Sequence, residues 1–308
     1  MKYILAIDFG RAYTKLCAID IFDKKVLGRA ISRTSPDLDI GYDNALEILH
    51  DSIGKIDFDM TLSCTSIVNA VPQSRVEPEP ILSCNAVTVA AELLSEGTDS
   101  INGIGEIIVI DVGAESSSVY SVADGYAQKP NVMVKGTKLP RSYFTVENGL
   151  GFNNAPLSEY IQGMAGKLNF SEALIEEFLD LRDKDPYSLL EAGPDFKRVA
   201  DEVCRICTNT ALINHCGRIE AVYTPFKEAF LQHGKDLTGV KKIIGTGGAI
   251  ANAKNPEQLI SRNLDYTSLR PESPELAVDA DNIFYAAGLL AKIDPNAALS
   301  IILDGIMI

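Results

Sequence analysis

The sequence predicts an α/β protein built as two subdomains with a ligand cleft between them, and three observations predict it. The chain has 308 residues, 46% hydrophobic and 23% charged, the composition of a globular protein long enough for two domains of roughly 100 to 200 residues each. An apolar run ending in Asp-x-Gly occurs twice, at Ile4–Gly10 (ILAIDFG) and Ile107–Gly113 (IIVIDVG), displaced by 103 residues without a gap. A third run, Lys241–Asn252 (KKIIGTGGAIAN), reads as strand, glycine turn and helix start. An internal repeat of this kind is the signature of two related halves.

Each element follows from its residues. Ile4–Gly10 reads as a buried strand and Leu16–Ile21 as its return, with the small and polar residues Arg11–Lys15 between them, so the unit is a hairpin. Three prolines mark Pro72–Pro80 as a connection. Asn85–Leu94 and Ile283–Ala291 have helical spacing and small residues on one face, which suits either closely crossing helices at a hinge or plain core helices. Ile107–Gly113, Ala114–Ser118 and Val119–Val122 repeat the hairpin. Ser171–Arg182 reads as a helix and the acidic Arg182–Pro194 as a surface loop. Asp195–His215 is helical through Val199, Val203, Ile206, Thr210 and Ile213, with Gly217 as the expected C-cap. The apolar Ala297–Ile308 is expected to be a last core helix rather than a docking tail.

Charge excludes some functions. Lys and Arg total 28 against 42 Asp and Glu, a net charge of −14, which repels a nucleic-acid backbone or an anionic membrane. No apolar stretch approaches the ~20 residues of a membrane span, and Asp8 interrupts the apolar start before a signal-peptide core could form. A cytoplasmic protein with reduced thiols is expected. Of the six cysteines only Cys204 and Cys207 have suggestive spacing. Three apart on a helix, they read as buried core thiols, with metal or iron–sulfur ligation as the other reading.

The chemistry of the hairpin is more specific. A carboxylate at the end of a buried strand can bind a metal directly or through water, and the glycine beside it lets backbone N–H groups approach a phosphate. One such turn is commonplace, but two in register, followed in order by Gly245–Gly248, resemble the paired phosphate hairpins and adenosine motif of the actin, heat-shock chaperone and sugar kinase superfamily. That resemblance implies an actin-like, ribonuclease H-like ATPase fold with a nucleotide cleft. Its subdomains would be residues 1–101 with 276–308, and residues 102–275. The runs Cys216–Pro225, Gln232–Thr238, Ile244–Gly248, Ala286–Leu290 and Arg141–Gly151 further resemble the GlmL/MutL family, associated with adenosylcobalamin-dependent glutamate mutase and related mutases.

This resemblance implies a reactivating chaperone, with weak ATPase activity, that uses ATP/ADP and Mg2+ to release damaged cofactor from a mutase partner; a homodimer is allowed. Asp8 and Asp111 are the expected catalytic and metal-binding residues. Gly10, Arg11, Thr14, Lys15, Gly113, Ser116, Gly245, Thr246, Gly247 and Gly248 are expected to hold the nucleotide. For Lys15 and Arg11 a solvent-facing role is the alternative. The chain also departs from the family: Ala114 and Ser118 stand where it has Gly and Asp, Ser116 and Ser117 replace threonines, Arg11 replaces a small polar residue, and a large insert before Asn85 is missing. A scaffold of the same fold without turnover, and a kinase or ATP-driven electron-transfer activator using Cys204 and Cys207, are therefore the competing readings.

Overall fold

A computed structural model describes residues 2–67, 79–154, 170–184, 193–223, 228–260 and 267–307. The expected connection at 72–80 and loop at 182–194 lie mostly outside the described residues. The chain divides into two compact units, the first formed by Met1–Ile107 with Asp279–Met307 and the second by Ile108–Val278.

The first unit begins with β1 (Tyr3–Phe9), β2 (Tyr13–Asp20) and β3 (Lys25–Arg33), then α1 (Leu38–Ile53), β4 (Met60–Thr65), β5 (Ile81–Leu82) and α2 (Ser83–Glu96). Its sheet runs β3-β2-β1-β4-β5, with β1 antiparallel to β2 and parallel to β4. β1 is apolar on both pleat faces because both are covered. Leu5, Ile7 and Phe9 pack with Leu16 and Ala18 against Leu38, Ala45 and Leu49 of α1. Alternation turns Ile4, Ala6 and Asp8 to the opposite face.

The chain then builds the second unit from β6 (Ile107–Val112), β7 (Ser116–Val122), β8 (Val132–Lys135), β9 (Ser142–Asn148), α3 (Glu172–Lys184), α4 (Pro194–His215), β10 (Arg218–Tyr223), β11 (Glu228–His233), β12 (Lys242–Thr246), α5 (Gly248–Ala251) and β13 (Glu275–Asp279). One sheet contains the order β13-β12-β6-β7-β9, and a smaller one runs β10-β11-β8. α4 packs on β7 and β9 and buries Val199, Val203, Cys204, Cys207, Ala211 and His215. The chain returns to the first unit as α6 (Phe284–Leu290), α7 (Pro295–Gly305) and β14 (Ile306–Met307). α6 packs on α2, β1 and β4, and α7 on α2 and α6. Ala297, Ala298, Leu299, Ile301 and Ile302 of α7 are buried, so the terminus is core as expected.

Several expected boundaries shift. β2 begins at Tyr13 and β7 at Ser116, so the turns are shorter than the small and polar residues suggested. α3 continues through Arg182 to Lys184, into the segment expected to be loop. α4 ends on Cys216, whose N–H bonds the Leu212 carbonyl, and not on Gly217. Gly217 is required for a different reason: a Cβ there would meet the His233 carbonyl oxygen at 2.5 Å and that of Lys235 at 2.6 Å. The Gly-rich run at 245–248 opens only a single helical turn, α5.

Candidate functional site

The two Asp-x-Gly hairpins close with the same turn. Gly10 N–H donates to the Tyr13 carbonyl at 3.0 Å, and Gly113 N–H donates to the Ser116 carbonyl at 2.9 Å. A Cβ at Gly10 would stand 2.6 Å from the Tyr13 oxygen, so the turn admits only glycine there.

In the first unit, strand register sets Lys15 directly across from Asp8. Cross-strand partners share a pleat face, and Lys15 Nζ lies 3.2 Å from Asp8 Oδ2. Asp8 is 6% exposed. Its Oδ1 accepts a hydrogen bond from Ser83 Oγ at 2.7 Å, at the start of α2, and faces Cys64 Sγ at 3.5 Å. The Cys64 thiol is pushed well above its ordinary range, first by burial and then by the Asp8 charge, so it stays protonated and can donate. Lys15 also lies over the Tyr285 ring of α6, 5.8 Å from its centroid, and burial raises the Tyr285 phenol well above its ordinary value. Asp8 is thus an oriented carboxylate held by an ammonium and a hydroxyl.

The same register separates Thr14 from this group. Because β2 already runs at Tyr13, alternation sends Thr14 to the α1 face, where it is fully buried and its hydroxyl lies 3.2 Å from that of Thr34. Thr34 in turn donates to the Gly10 carbonyl at 2.7 Å and so braces the turn from behind. Arg11 is exposed, with Nε 3.5 Å from the Ser66 carbonyl.

In the second unit, the glycine turn after β12 meets the second hairpin. Gly247 has φ +91°, and a Cβ there would come within 2.5 Å of Asp111 Oδ1 and 2.6 Å of the Val112 carbonyl oxygen. Gly247, Asp111 and Gly113 are therefore one backbone-lined corner. Gly245 packs against Ile250, Thr246 is buried, and Gly248 is open. Ser118 occupies the place that Lys15 holds in the first hairpin, since 118 − 15 equals the displacement of 103 between Asp8 and Asp111. No fixed cation therefore stands at the corresponding strand position. Ser116 opens β7, and Ser117 is buried with its hydroxyl on the Leu150 carbonyl at 2.6 Å.

Cys204 and Cys207 are 1% and 0% exposed. Burial raises both thiols, Cys207 to about 12, the opposite of the thiolate state that metal ligation requires. Among the described residues, no group of three or more His, Cys, Asp or Glu could hold a metal ion. No described helix is long and apolar enough to cross a membrane. Ser83 and Tyr285 were not among the expected site residues, and only their approach to Asp8 and Lys15 in space reveals them.

This architecture has a counterpart among solved structures. An activator of the 2-hydroxyisocaproyl-CoA dehydratase from Clostridium difficile with bound ADPNP superposes with a TM-score of 0.50 over 97% of this chain and 96% of that one, at 12% identity. Component A of the (R)-2-hydroxyglutaryl-CoA dehydratase of Acidaminococcus fermentans covers 99% of both chains at 13% identity, with a TM-score of 0.46. The chain has the α/β fold of the actin-like ATPases. Residues 70–306 match the model of the MutL protein family, and the chain belongs to that family. Protein MutL of Clostridium tetanomorphum is 34% identical over 225 residues, which cover 70% of this chain and 48% of that protein. The chain thus spans about half the length of this curated relative.

Proposed function

We propose that this chain is an ATP-binding, weakly ATP-hydrolysing factor that reactivates an adenosylcobalamin-dependent mutase, such as a glutamate mutase or an aminomutase. The observation that carries nucleotide binding is the pair of matching turns, Gly10 to Tyr13 and Gly113 to Ser116, each following a strand-terminal aspartate. Short glycine turns of this kind present backbone N–H groups to phosphate oxygens. Phosphoryl transfer depends on positioning and charge neutralisation more than on covalent chemistry of the protein. In this reading Gly10, Gly113 and neighbouring amides hold the β and γ phosphates. Arg11 and Lys15 neutralise their charge, and Gly245–Gly248 contact the adenosine side. Thr14 acts from behind the turn through Thr34.

A strand-end carboxylate is the kind of donor that Mg2+ takes. That ion keeps several waters and takes one or two carboxylates, so it needs no three-ligand cage. Asp8, with one oxygen on Ser83 and the other on Lys15, suits a contact through water, and Asp111 would be the second such carboxylate. Bound there, Mg2+ would neutralise phosphate charge. Asp111 would orient the attacking water or the metal's waters.

Family membership and the activator-like fold support the reactivating role. A nucleotide can move a partner between states only if its two forms differ in affinity for those states, and ATP turnover supplies such a pair. A non-hydrolysing scaffold is the second reading, favoured by Ser118, which stands in the second hairpin where the family resemblance implies a carboxylate. Calorimetry with Mg2+-ATP on the wild type and on Asp8→Ala, with ADP release followed in parallel, tests both. Binding in the wild type that weakens by about tenfold or more in the variant, with slow ADP release, supports the switch. Binding without ADP release leaves the scaffold, and no binding by folded wild type removes the nucleotide reading.

A further inference from the structure

Three family-like runs, at 141–151, 216–225 and 232–238, lie outside the two Asp-x-Gly turns, the first of them supplying β9 beside β7. Their described residues meet in the second unit. Lys235 is 3% exposed. Its ammonium donates to the Pro140 carbonyl at 3.0 Å, the Arg141 carbonyl at 2.7 Å and Ser121 Oγ at 3.3 Å. Asp236 accepts from Gln128 N–H at 3.0 Å and Thr238 N–H at 3.1 Å. Gln232 Nε2 donates to the carbonyls of Gly125 and Gly234 at 3.1 and 2.9 Å. These bonds fix the segments around an open cavity of about 420 Å3, lined by Leu139, Tyr143, Ile213, His215, His233 and the exposed Arg218 among others, within the ~300 to 1,000 Å3 range of small-molecule sites.

The walls differ in chemistry. His215 is saturated: Nδ1 lies 2.9 Å from Thr145 Oγ1 and Nε2 lies 2.9 Å from Ser121 Oγ. Its ring stands 5.3 Å from that of Tyr143 and is tilted by 30°. A hydrogen-bond-saturated imidazole beside a phenol ring, with Leu139 and Ile213, makes an apolar wall suited to a flat body. On the other side, strand register pairs Arg218 with His233, so both project from one face of the β10–β11 hairpin. His233 Nε2 is buried without a hydrogen-bond partner among the described residues; the Glu220 carboxylate stands 3.7 Å away, beyond hydrogen-bond length. Among the described residues, no carboxylate pairs with Arg218. A guanidinium fork and an unmet ring nitrogen at the edge of an apolar wall match a carboxylate head on an apolar body.

We propose that this cavity is a second ligand site, which takes a small aromatic carboxylate with its head on Arg218 and His233 and its ring against Tyr143 and His215. The proposal does not rest on the nucleotide reading. The chain has only three histidines, and two of them line the cavity, so their ring-proton NMR signals report on it directly. Benzoate is the probe, with benzamide as its uncharged counterpart and His50 as the internal control. The expected result is a saturable shift of the His215 and His233 signals with His50 unmoved. Arg218→Gln and, separately, His233→Gln should weaken the remaining shift by about tenfold or more, and benzamide should bind as weakly as the variants. No saturable shift at either histidine overturns the site. So does a shift shared equally by His50, or an affinity that either correctly folded variant leaves unchanged.

Discussion

His215 shows how one buried side chain can tie stability to pH. Burial, and then the nearby Lys235 ammonium, push its pKa down from 6.5 to about 3. The folded state therefore keeps the ring neutral where the unfolded chain protonates it. Between pH 6.5 and 3 the unfolded state binds more protons, so stability is full above pH 6.5 and falls as pH drops through that window. The expected loss from this residue is about 2 kcal/mol between pH 7 and pH 5. Thermal unfolding at the two pH values, compared with His215→Gln, measures it: the wild type should lose more stability on acidification than the variant. Equal losses would mean that the folded ring protonates as readily as the unfolded one. Residues joined by local pairing were legible from sequence. Asp8, Gly10 and Lys15 sit in one hairpin, so their meeting follows from it. Ser83, 75 residues from Asp8 in sequence, was not legible, because a serine before a helix looks the same whether it meets a carboxylate or water. Thr14 lies on the other face for a period-two reason: β2 already runs at Tyr13, and alternation turns Thr14 inward.

At the scale of elements, the repeat and the small-residue helices were readable because backbone closeness constrains composition directly. α2 and α6 cross so closely that a Cβ on Gly288 would stand 1.8 Å from the Ala86 carbonyl oxygen. Helix ends were less readable, since a terminal residue is chosen by what packs beyond it; Gly217 looked like a cap but is demanded by the backbone of Gly234 and Lys235. The crossing carries its own prediction. Gly288→Ala drives a methyl into backbone that cannot rotate away, so the helices must separate, at a cost of about 1 to 3 kcal/mol or more. Differential scanning calorimetry should show the melting temperature reduced by several degrees, whereas Gly248→Ala, with no atom within 4 Å of its added carbon, should leave it nearly unchanged. A Gly288→Ala protein as stable as the wild type would show that the two helices have room to slide.

At the scale of the molecule, the first unit is closed by both ends of the chain. β1 and β2 begin it, and α6 and α7, from 284 to 305, complete it. The first helix buries all seven of its residues and the second buries Ala297, Ala298, Leu299, Ile301 and Ile302. Without them, the face of β1 that carries Asp8 and the inner side of α2 would be left open to water. The side chain would lose the cation–π neighbour of Lys15 as well, because Tyr285 goes with α6. Hydrophobic burial of this kind is the main favourable term in folding, and it cannot be replaced by the local hairpin. Deleting residues 280–308 should therefore abolish the cooperative unfolding of the first unit and raise binding of a hydrophobic dye, while residues 108–278 expressed alone should retain α/β circular dichroism. If the truncated chain instead melts as cooperatively as the intact one, the terminal helices are dispensable to the core of the first unit.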